Sequence, residues 1–221
     1  MISSILNKAI LLLDLLLGQS CIVCKKGGTL LCDSCAFKLE RSDNIKDVLV
    51  CFSYRDRLVR KAIHYLKFRG AFSIARPLSL VLYEKLVDEL LEDAVLEGDQ
   101  NVEPFLIIPI PLSKKRLAKR GYNQVEVLAK ELVKYDQNGF ELGLNILQKT
   151  KETKSQVSLG GRIERLKNLE GAFTVMDPQK ILSRNIILLD DVLTTGATMN
   201  EATKTLMSFG AKKIRRVALA H

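Results

Sequence analysis

The stretch that decides the fold class is Asn185-Ile-Ile-Leu-Leu-Asp-Asp-Val-Leu-Thr-Thr-Gly-Ala-Thr198. Its apolar first half predicts a buried strand, and a helical pattern from Met199 to Phe209 follows the small-residue turn. A turn between a strand and a helix binds anions, because its backbone N–H groups and the helix dipole both attract negative charge. Gly196 allows the backbone to approach such an anion closely. The stretch therefore predicts a phosphate-binding turn.

Two acidic residues and three threonines supply side chains to this turn. Asp190 and Asp191 come where the strand is expected to end, which is the edge at which open α/β sheets bind ligands. The hydroxyls of Thr194, Thr195 and Thr198 can donate hydrogen bonds. Carboxylates would bind sugar hydroxyls or Mg²⁺ while the turn holds a phosphate, so the combination suits a phosphorylated sugar. The alternative is a polar turn after a core strand.

The composition fits one domain with a small appendage, because the chain has 221 residues and 47% of them are hydrophobic. A formal net charge of +9 favours anionic partners such as phosphates or nucleic acid. The basic groups that could contact nucleic acid are Lys114–Arg120 and Lys212–Arg216. Aromatic residues make up only 6% and tryptophan is absent, which disfavours an aromatic platform for stacked single-stranded bases.

Strand and helix patterns alternate along the chain, which predicts an α/β fold with a parallel sheet flanked by helices. The predicted strands are Val48–Tyr54, Phe105–Ile110, Leu144–Leu147, Ala172–Val175, Ile186–Leu189 and Ile214–Leu219. The predicted helices are Asp56–Leu66, which Lys67-Phe-Arg-Gly70 ends, then Arg76–Leu91, Asn123–Lys134 and Met199–Phe209. The charged stretch Gln148–Glu170 predicts an excursion from the sheet.

Four of the five cysteines form two closely spaced pairs, Cys21-x-x-Cys24 and Cys32-x-x-Cys35. Such pairs place two thiolates on one tight turn, so the four residues predict a closed, structural zinc site. Iron–sulfur ligation is the alternative, because sequence determines ligands better than it determines the metal. Disulfides are disfavoured because we find no secretory signal. Cys51 lies in an apolar strand pattern and is expected to be an inert buried thiol.

The first residues, Ile2–Leu17, repeat apolar side chains at helical spacing. We interpret them as an amphipathic helix that packs either on the body or on a partner or membrane surface. Asp14 and the short length disfavour a signal peptide and a stable membrane span. We therefore divide the chain into an apolar helix with the cysteine module at 1–44 and a main domain at 45–221.

The segment from Asp190 to Thr198 resembles the phosphoribosyl pyrophosphate (PRPP) loop of type I phosphoribosyltransferases. More widely, the chain resembles the competence protein F (ComF) family, which includes the ComFC proteins of natural transformation and GntX-type proteins. This resemblance implies a type I phosphoribosyltransferase-like fold with an amino-terminal four-cysteine zinc knuckle. The other matching segments are the four cysteines, Leu66–Gly70, Pro109–Pro111, Arg120–Gln124, Gln156-x-x-Leu159, Arg165-x-x-Asn168 and Gly171–Phe173.

The resemblance implies a role for each part of the PRPP loop. Asp190 and Asp191 would act in catalysis by orienting the ribose hydroxyls. The same two carboxylates would also bind Mg²⁺. Lys67 would face the diphosphate, or it is a solvated lysine at a helix end. The residues implied to surround the 5′-phosphate are Val192, Leu193, Thr194, Thr195, Gly196, Ala197 and Thr198.

Two further groups are implied around the site. Arg120, Asn123 and Gln124 would line an adjacent groove, although Asn123 could instead cap a helix and Arg120 could be surface charge. Gln156, Arg165 and Asn168 lie in the segment that resembles the hood, the part of the family's fold that covers the active site. There they would either contact the substrate or have a purely structural role. The family often carries an arginine before the Gln156 motif, whereas Lys149 and Lys151 occupy that region here.

Three functions follow from these observations. The first is a PRPP-dependent phosphoribosyltransferase with an unknown acceptor, for which we identify no general base. The second is a non-catalytic module that handles single-stranded DNA beside a competence helicase during DNA uptake. The third is PRPP sensing without turnover. In each case we expect a cytoplasmic protein, with the inner face of the membrane as a further expected location.

Overall fold

A computed structural model describes residues 19–97, 103–150 and 171–221 of the chain. The helices in these ranges are α1 (Asp33–Ala36), α2 (Arg57–Phe68), α3 (Ala75–Glu97), α4 (Lys114–Arg120), α5 (Gln124–Val133) and α6 (Ala197–Ser208). The strands are β1 (Val48–Phe52), β2 (Phe105–Pro109), β3 (Phe140–Leu142), β4 (Leu147–Lys149), β5 (Phe173–Val175), β6 (Asn185–Val192) and β7 (Lys213–Ala220). Short 3-10 helices lie at Phe72–Ile74 and Pro178–Lys180.

Five strands form a parallel sheet in the order β1-β7-β6-β2-β3, which confirms the predicted α/β class. Strand β6 is central and is buried on both faces from Ile186 to Leu189. On either side of it, β7 and β2 continue the sheet in opposite directions. The chain thus has a topological switch point beside the carboxyl end of β6, where open α/β sheets bind ligands.

Helices cover both faces of the sheet. Alternate β6 residues divide between two cores: Ile187 and Leu189 pack with α2, α3 and α5, and Ile186 and Leu188 pack with α6. Strands β4 and β5 form a separate antiparallel pair that packs on the α6 side. The cysteine module contributes buried residues, including Leu31, to the core that α2 and α3 share. The sheet is therefore held between two apolar layers, with its polar carboxyl edge free for a site.

Several predicted element bounds are wrong. The prediction placed no helix at 114–120 and no strand at 140–142, where α4 and β3 lie. The predicted strand Leu144–Leu147 is displaced, since β4 occupies Leu147–Lys149. Helix α2 continues through Phe68, so Lys67 lies in its last turn rather than in a break. Strand β6 also extends past Leu189 and includes both aspartates, because its ladder with β7 continues to Val192.

Some predictions fall outside the described residues. They are the amino-terminal helix Ile2–Leu17 and the candidate hood residues Gln156, Arg165 and Asn168, together with Lys151. Among the described helices, none combines the length and the apolar character needed to cross a bilayer. The division of the chain at residues 44 and 45 stays a prediction.

Candidate active site

A strand, a tight turn and the start of a helix follow one another at the end of β6, in the order that the sequence predicts. The N–H of Leu193 donates to the carbonyl oxygen of Ala220 (2.8 Å), so this residue anchors the turn to β7 and its side chain is buried. Gly196 follows with a φ of +74°, a conformation that favours glycine, and α6 begins at the next residue. Thr194 and Thr195 are exposed at the tip. The turn therefore presents hydroxyls and the start of a helix on one side.

Asp191 is buried at the end of β6 and is held by side chains from two helices. Its Oδ1 lies 3.0 Å from the Nζ of Lys67, in the last turn of α2. Its Oδ2 accepts a hydrogen bond from the side-chain amide of Gln124, the first residue of α5. Each carboxylate oxygen thus has its own donor, which fixes the orientation of the acid.

Arg120 completes this arrangement from the end of α4. Its guanidinium donates to Oε1 of Gln124, which leaves the amide of Gln124 to point at Asp191. The guanidinium carbon also lies 5.1 Å from the centroid of the Phe68 ring, a cation–π contact with α2. Burial lowers the pKa of Arg120, an effect that the nearby Asp191 opposes. Because Arg120 supports a buried donor, the surface-charge interpretation of this residue is wrong.

Asp190 is half-buried and points into the same space. Burial and the neighbouring Asp191 carboxylate raise the pKa of Asp190 to about 7. Its Oδ1 accepts a hydrogen bond from the backbone N–H of Asp191 (2.8 Å), which acts in the opposite direction. The two acids therefore differ in character: Asp191 has a cationic partner 3.0 Å away, and Asp190 titrates near neutrality.

These groups line an open cleft of about 300 Å³ at the carboxyl edge of the sheet. The structure brings Lys67, Arg120, Gln124, Asp190, Asp191, Val192, Thr194 and Thr198 together on its wall. Tyr54 and Ser113, for which the sequence indicates no role, line the same cleft. Arg116 of the first basic group and Lys149 line it as well. Tyr54 and Ser113 follow the ends of β1 and β2, and that position could have identified them.

Asn123 lies outside this cleft, and the capping alternative is confirmed for it. Its side-chain oxygen accepts from the N–H of Val125 (3.0 Å), and its amide donates to the carbonyl oxygen of Ile110 (3.1 Å). The residue is buried and caps α5. Asn123 therefore positions the neighbouring Gln124, and it also lines an adjacent cleft of about 220 Å³ together with Leu112 and Glu126.

The two basic groups differ in their surroundings. Helix α4 has no buried residue and carries all five basic side chains between Lys114 and Arg120. In the Lys212–Arg216 group, by contrast, Arg215 forms ion pairs with Asp93 and Glu89, and Arg216 forms one with Asp47. The second group is therefore partly neutralised, and the expectation that it forms a DNA-binding surface is weakened.

The four paired cysteines form a compact cluster whose sulfur atoms all lie within 4.8 Å of one another. Thiolates bound to one zinc ion at about 2.3 Å would be about 3.8 Å apart in a tetrahedron, and the sulfurs of Cys24 and Cys32 are 3.8 Å apart. Burial raises the pKa of Cys21, but backbone N–H groups of Cys24, Cys32 and Val23 lower it to about 6. The donor set fits a zinc knuckle.

The fifth cysteine behaves as predicted. Cys51 is fully buried in β1, and burial raises its pKa to about 12, which keeps it a neutral thiol. His64, for which the sequence indicates no role, packs its ring against Phe68 with 4.9 Å between centroids.

Comparison with known proteins identifies the family. The phosphoribosyl transferase domain family matches residues 82–221. The chain is 34% identical over 160 residues to competence protein F of Haemophilus influenzae, a match that covers 72% of this chain and 66% of that protein. It is 32% identical over 153 residues to the DNA utilization protein YhgH of Escherichia coli O157:H7, covering 69% of this chain and 63% of the relative. The chain thus spans just under two thirds of each relative's length.

Among solved structures, the chain is similar to a hypoxanthine phosphoribosyl transferase of Trypanosoma cruzi, with a TM-score of 0.40 and 10% identity. That match covers 65% of this chain and 64% of the other, and it is too distant to carry an argument about function. The family match and the relatives at 32–34% identity are the stronger findings. Taken with the parallel sheet and its carboxyl-edge cleft, they show that the chain belongs to the phosphoribosyl transferase domain family, in its competence protein F branch.

Proposed function

We propose that the protein binds PRPP together with Mg²⁺ in the cleft at the end of β6. The observation that carries this proposal is that acidic and basic side chains together line one open cleft of about 300 Å³ at the end of β6. Asp190 and Asp191 lie on one wall beside the turn, while Lys67, Arg116 and Arg120 supply cations. PRPP carries vicinal hydroxyls and two phosphate groups, and these chemical groups match such a lining.

Each part of the ligand has a candidate partner. The 5′-phosphate would bind at the turn, where Thr194 and Thr198 line the cleft and α6 begins. The ribose hydroxyls would donate to Asp190 and Asp191. The diphosphate would lie towards Lys67, with Mg²⁺ between it and the acids, because Mg²⁺ is commonly bound by one or two carboxylates plus substrate phosphates.

If the protein turns over PRPP, an acceptor nucleophile forms a bond to C1 of the ribose while the C1–oxygen bond to pyrophosphate breaks. Pyrophosphate leaves with the electron pair of that bond. The protein residues would contribute by holding both reactants in position and by stabilising the charge that develops. Burial and the Asp191 carboxylate raise the pKa of Asp190 to about 7, which suits a group that accepts the acceptor's proton.

The relatives' names supply the proposed biological setting. One is named a competence protein and the other a DNA utilization protein. We propose by analogy that this protein acts in the cytoplasm during uptake or use of DNA. We further propose that the four cysteines bind zinc and that the chain divides into this module at 1–44 and a phosphoribosyltransferase-like domain at 45–221.

Isothermal titration calorimetry with PRPP, with and without Mg²⁺, tests the ligand. We expect Mg²⁺-dependent binding with a dissociation constant on the order of micromolar, about −8 kcal/mol. Asp191→Asn should weaken it, while Asp43→Asn is a matched control, since Asp43 is exposed and does not line the cleft. Full retention of PRPP affinity in Asp191→Asn, or no heat with the unaltered protein, would contradict the proposal.

A second candidate function, binding of single-stranded DNA, is favoured by the basic helix α4, which has no buried residue. Its test is fluorescence anisotropy with a labelled single strand at several salt concentrations. The double variant Lys114→Ala/Lys119→Ala should reduce the salt slope by roughly 1.4, at about 0.7 for each phosphate that is no longer neutralised. The matched control is Lys130→Ala/Lys204→Ala, which removes two exposed lysines outside the cleft lining. An equal reduction in both double variants would count against a site on α4.

A further inference from the structure

The ion pair between Lys67 and Asp191 joins the end of α2 to the end of β6 within the lining of the cleft. Its atoms are 3.0 Å apart, and the side chains are only 19% and 8% exposed. Both residues line the cleft, and they are the groups that the proposed function assigns to opposite parts of one ligand. In this state each residue is the other's charge partner.

The second oxygen of Asp191 is already engaged. Gln124 donates to Oδ2, and Arg120 holds Gln124 in that orientation. Oδ1 is therefore the oxygen at which a ligand hydroxyl must replace Lys67. When Lys67 withdraws, Gln124 still fixes the carboxylate, so the site does not lose its shape.

Removing one partner from a partly buried ion pair is unfavourable, because the remaining charge keeps its desolvation cost without compensation. A ligand that offers only hydroxyls would satisfy Asp191 and leave Lys67 with only the more distant Asp190 carboxylate as an opposite charge. A ligand that offers only a diphosphate would satisfy Lys67 and leave Asp191 beside the second acid, Asp190. A ligand with both groups compensates both charges in one step.

We propose that the Lys67–Asp191 ion pair is a specificity determinant that must open on binding, and that it selects ligands combining a diphosphate with a vicinal diol. This inference rests on the proposed function and deepens it. Fragments that carry one of the two groups bind weakly because each must break the pair alone. Lys67 and Asp191 therefore have two roles. They contact the ligand, and their ion pair lowers the affinity for fragments that carry only one of the two groups.

The experiment compares PRPP, ribose 5-phosphate and inorganic pyrophosphate by calorimetry in Mg²⁺ at about pH 8, above the pKa of Asp190. Lys67→Met releases Asp191, so ribose 5-phosphate should bind about tenfold more tightly and pyrophosphate more weakly. Asp191→Asn releases Lys67, so pyrophosphate should bind about tenfold more tightly and ribose 5-phosphate more weakly. Lys61→Met, on the exposed side of α2, is the matched control and should change neither affinity.

In each variant the affinity for one fragment should rise while the affinity for the other falls. This pattern distinguishes the inference from one in which Lys67 and Asp191 merely contact the ligand. If either variant lowers the affinity for both fragments, the ion pair does not restrain their binding and the inference is overturned. In that case PRPP binding by the unaltered protein still supports the proposed function. If the unaltered protein binds none of the three ligands, both fail. Because Asp191→Asn conserves shape, it keeps the test decisive even where Lys67→Met yields too little folded protein.

Discussion

The side-chain amide of Gln124 donates to Oδ2 of Asp191, a residue 67 positions further along the chain. Gln124 is the first residue of α5, and Asp191 is near the end of β6. Arg120 holds the other end of the same amide. The contact links the Arg120–Gln124 segment to the acid pair, so the two parts of the proposed site depend on each other.

Replacement of Gln124 by methionine removes the donor to Asp191 but keeps the length of the side chain. PRPP affinity should fall about tenfold, since a buried charged acceptor loses its partner at a cost of roughly 1–3 kcal/mol. Titration calorimetry measures it, with Gln179→Met on the exposed 3-10 helix at Pro178–Lys180 as the matched control. Equal affinity in the two variants would show that Gln124 does not position Asp191.

The raised pKa of Asp190 predicts a pH dependence of stability. Its pKa in the folded state is about 7 against an ordinary value of 3.8, so the folded state binds the proton more tightly than the unfolded state does. The contribution of Asp190 to stability is therefore favourable below its unfolded pKa and is lost as the pH rises towards about 7. Urea unfolding should show that Asp190→Asn gains stability relative to the unaltered protein as pH rises from about 4 to about 7.

A matched comparison isolates this effect. Asp43→Asn, at an exposed position, should follow the unaltered protein across the same pH range. A difference between Asp190→Asn and the unaltered protein that stays constant with pH would mean that the pKa of Asp190 is not raised.

Replacement of Cys24 by serine should abolish zinc retention. Cys24 is exposed, so the change opens no core cavity, but it removes one of four ligands. Atomic absorption should show metal content falling from about one ion per chain to near zero, with a lower melting temperature, since the module packs on the main core. Cys51→Ala is the control: it should cost stability without altering metal content. A Cys24→Ser protein with full metal content would rule out the four-cysteine site.

Replacement of Gly196 by alanine should strain the turn. A Cβ there would meet Leu193 at 3.8 Å, which is ordinary contact, so the cost comes from the φ of +74°. We expect a loss of about 1–2 kcal/mol in the free energy of unfolding. Gly27→Ala is the control, because its Cβ would meet nothing within 4 Å and its φ is not positive. Unchanged stability in Gly196→Ala would show that the turn relaxes without strain.

Local patterns explain what could be predicted. The apolar run Ile186–Leu189 predicts a strand because a parallel strand is buried on both faces. Gly196 predicts a tight turn, and the cysteine spacing predicts a cluster, since each of these signals acts within a few residues. Helix α4 was missed because it has no apolar face, and β3 was missed because three residues carry too little periodicity.

The sequence by itself determined the parallel α/β class, the turn after β6, the acid pair and the four-cysteine cluster. Only the tertiary structure decided that Lys67 pairs with Asp191, that Gln124 shares that acid, and that Lys149 reaches the same cleft. Helix capping and strand burial depend on neighbours in the chain. The cleft depends on the strand order, which brings the ends of β1, β2 and β6 to one edge from distant parts of the sequence.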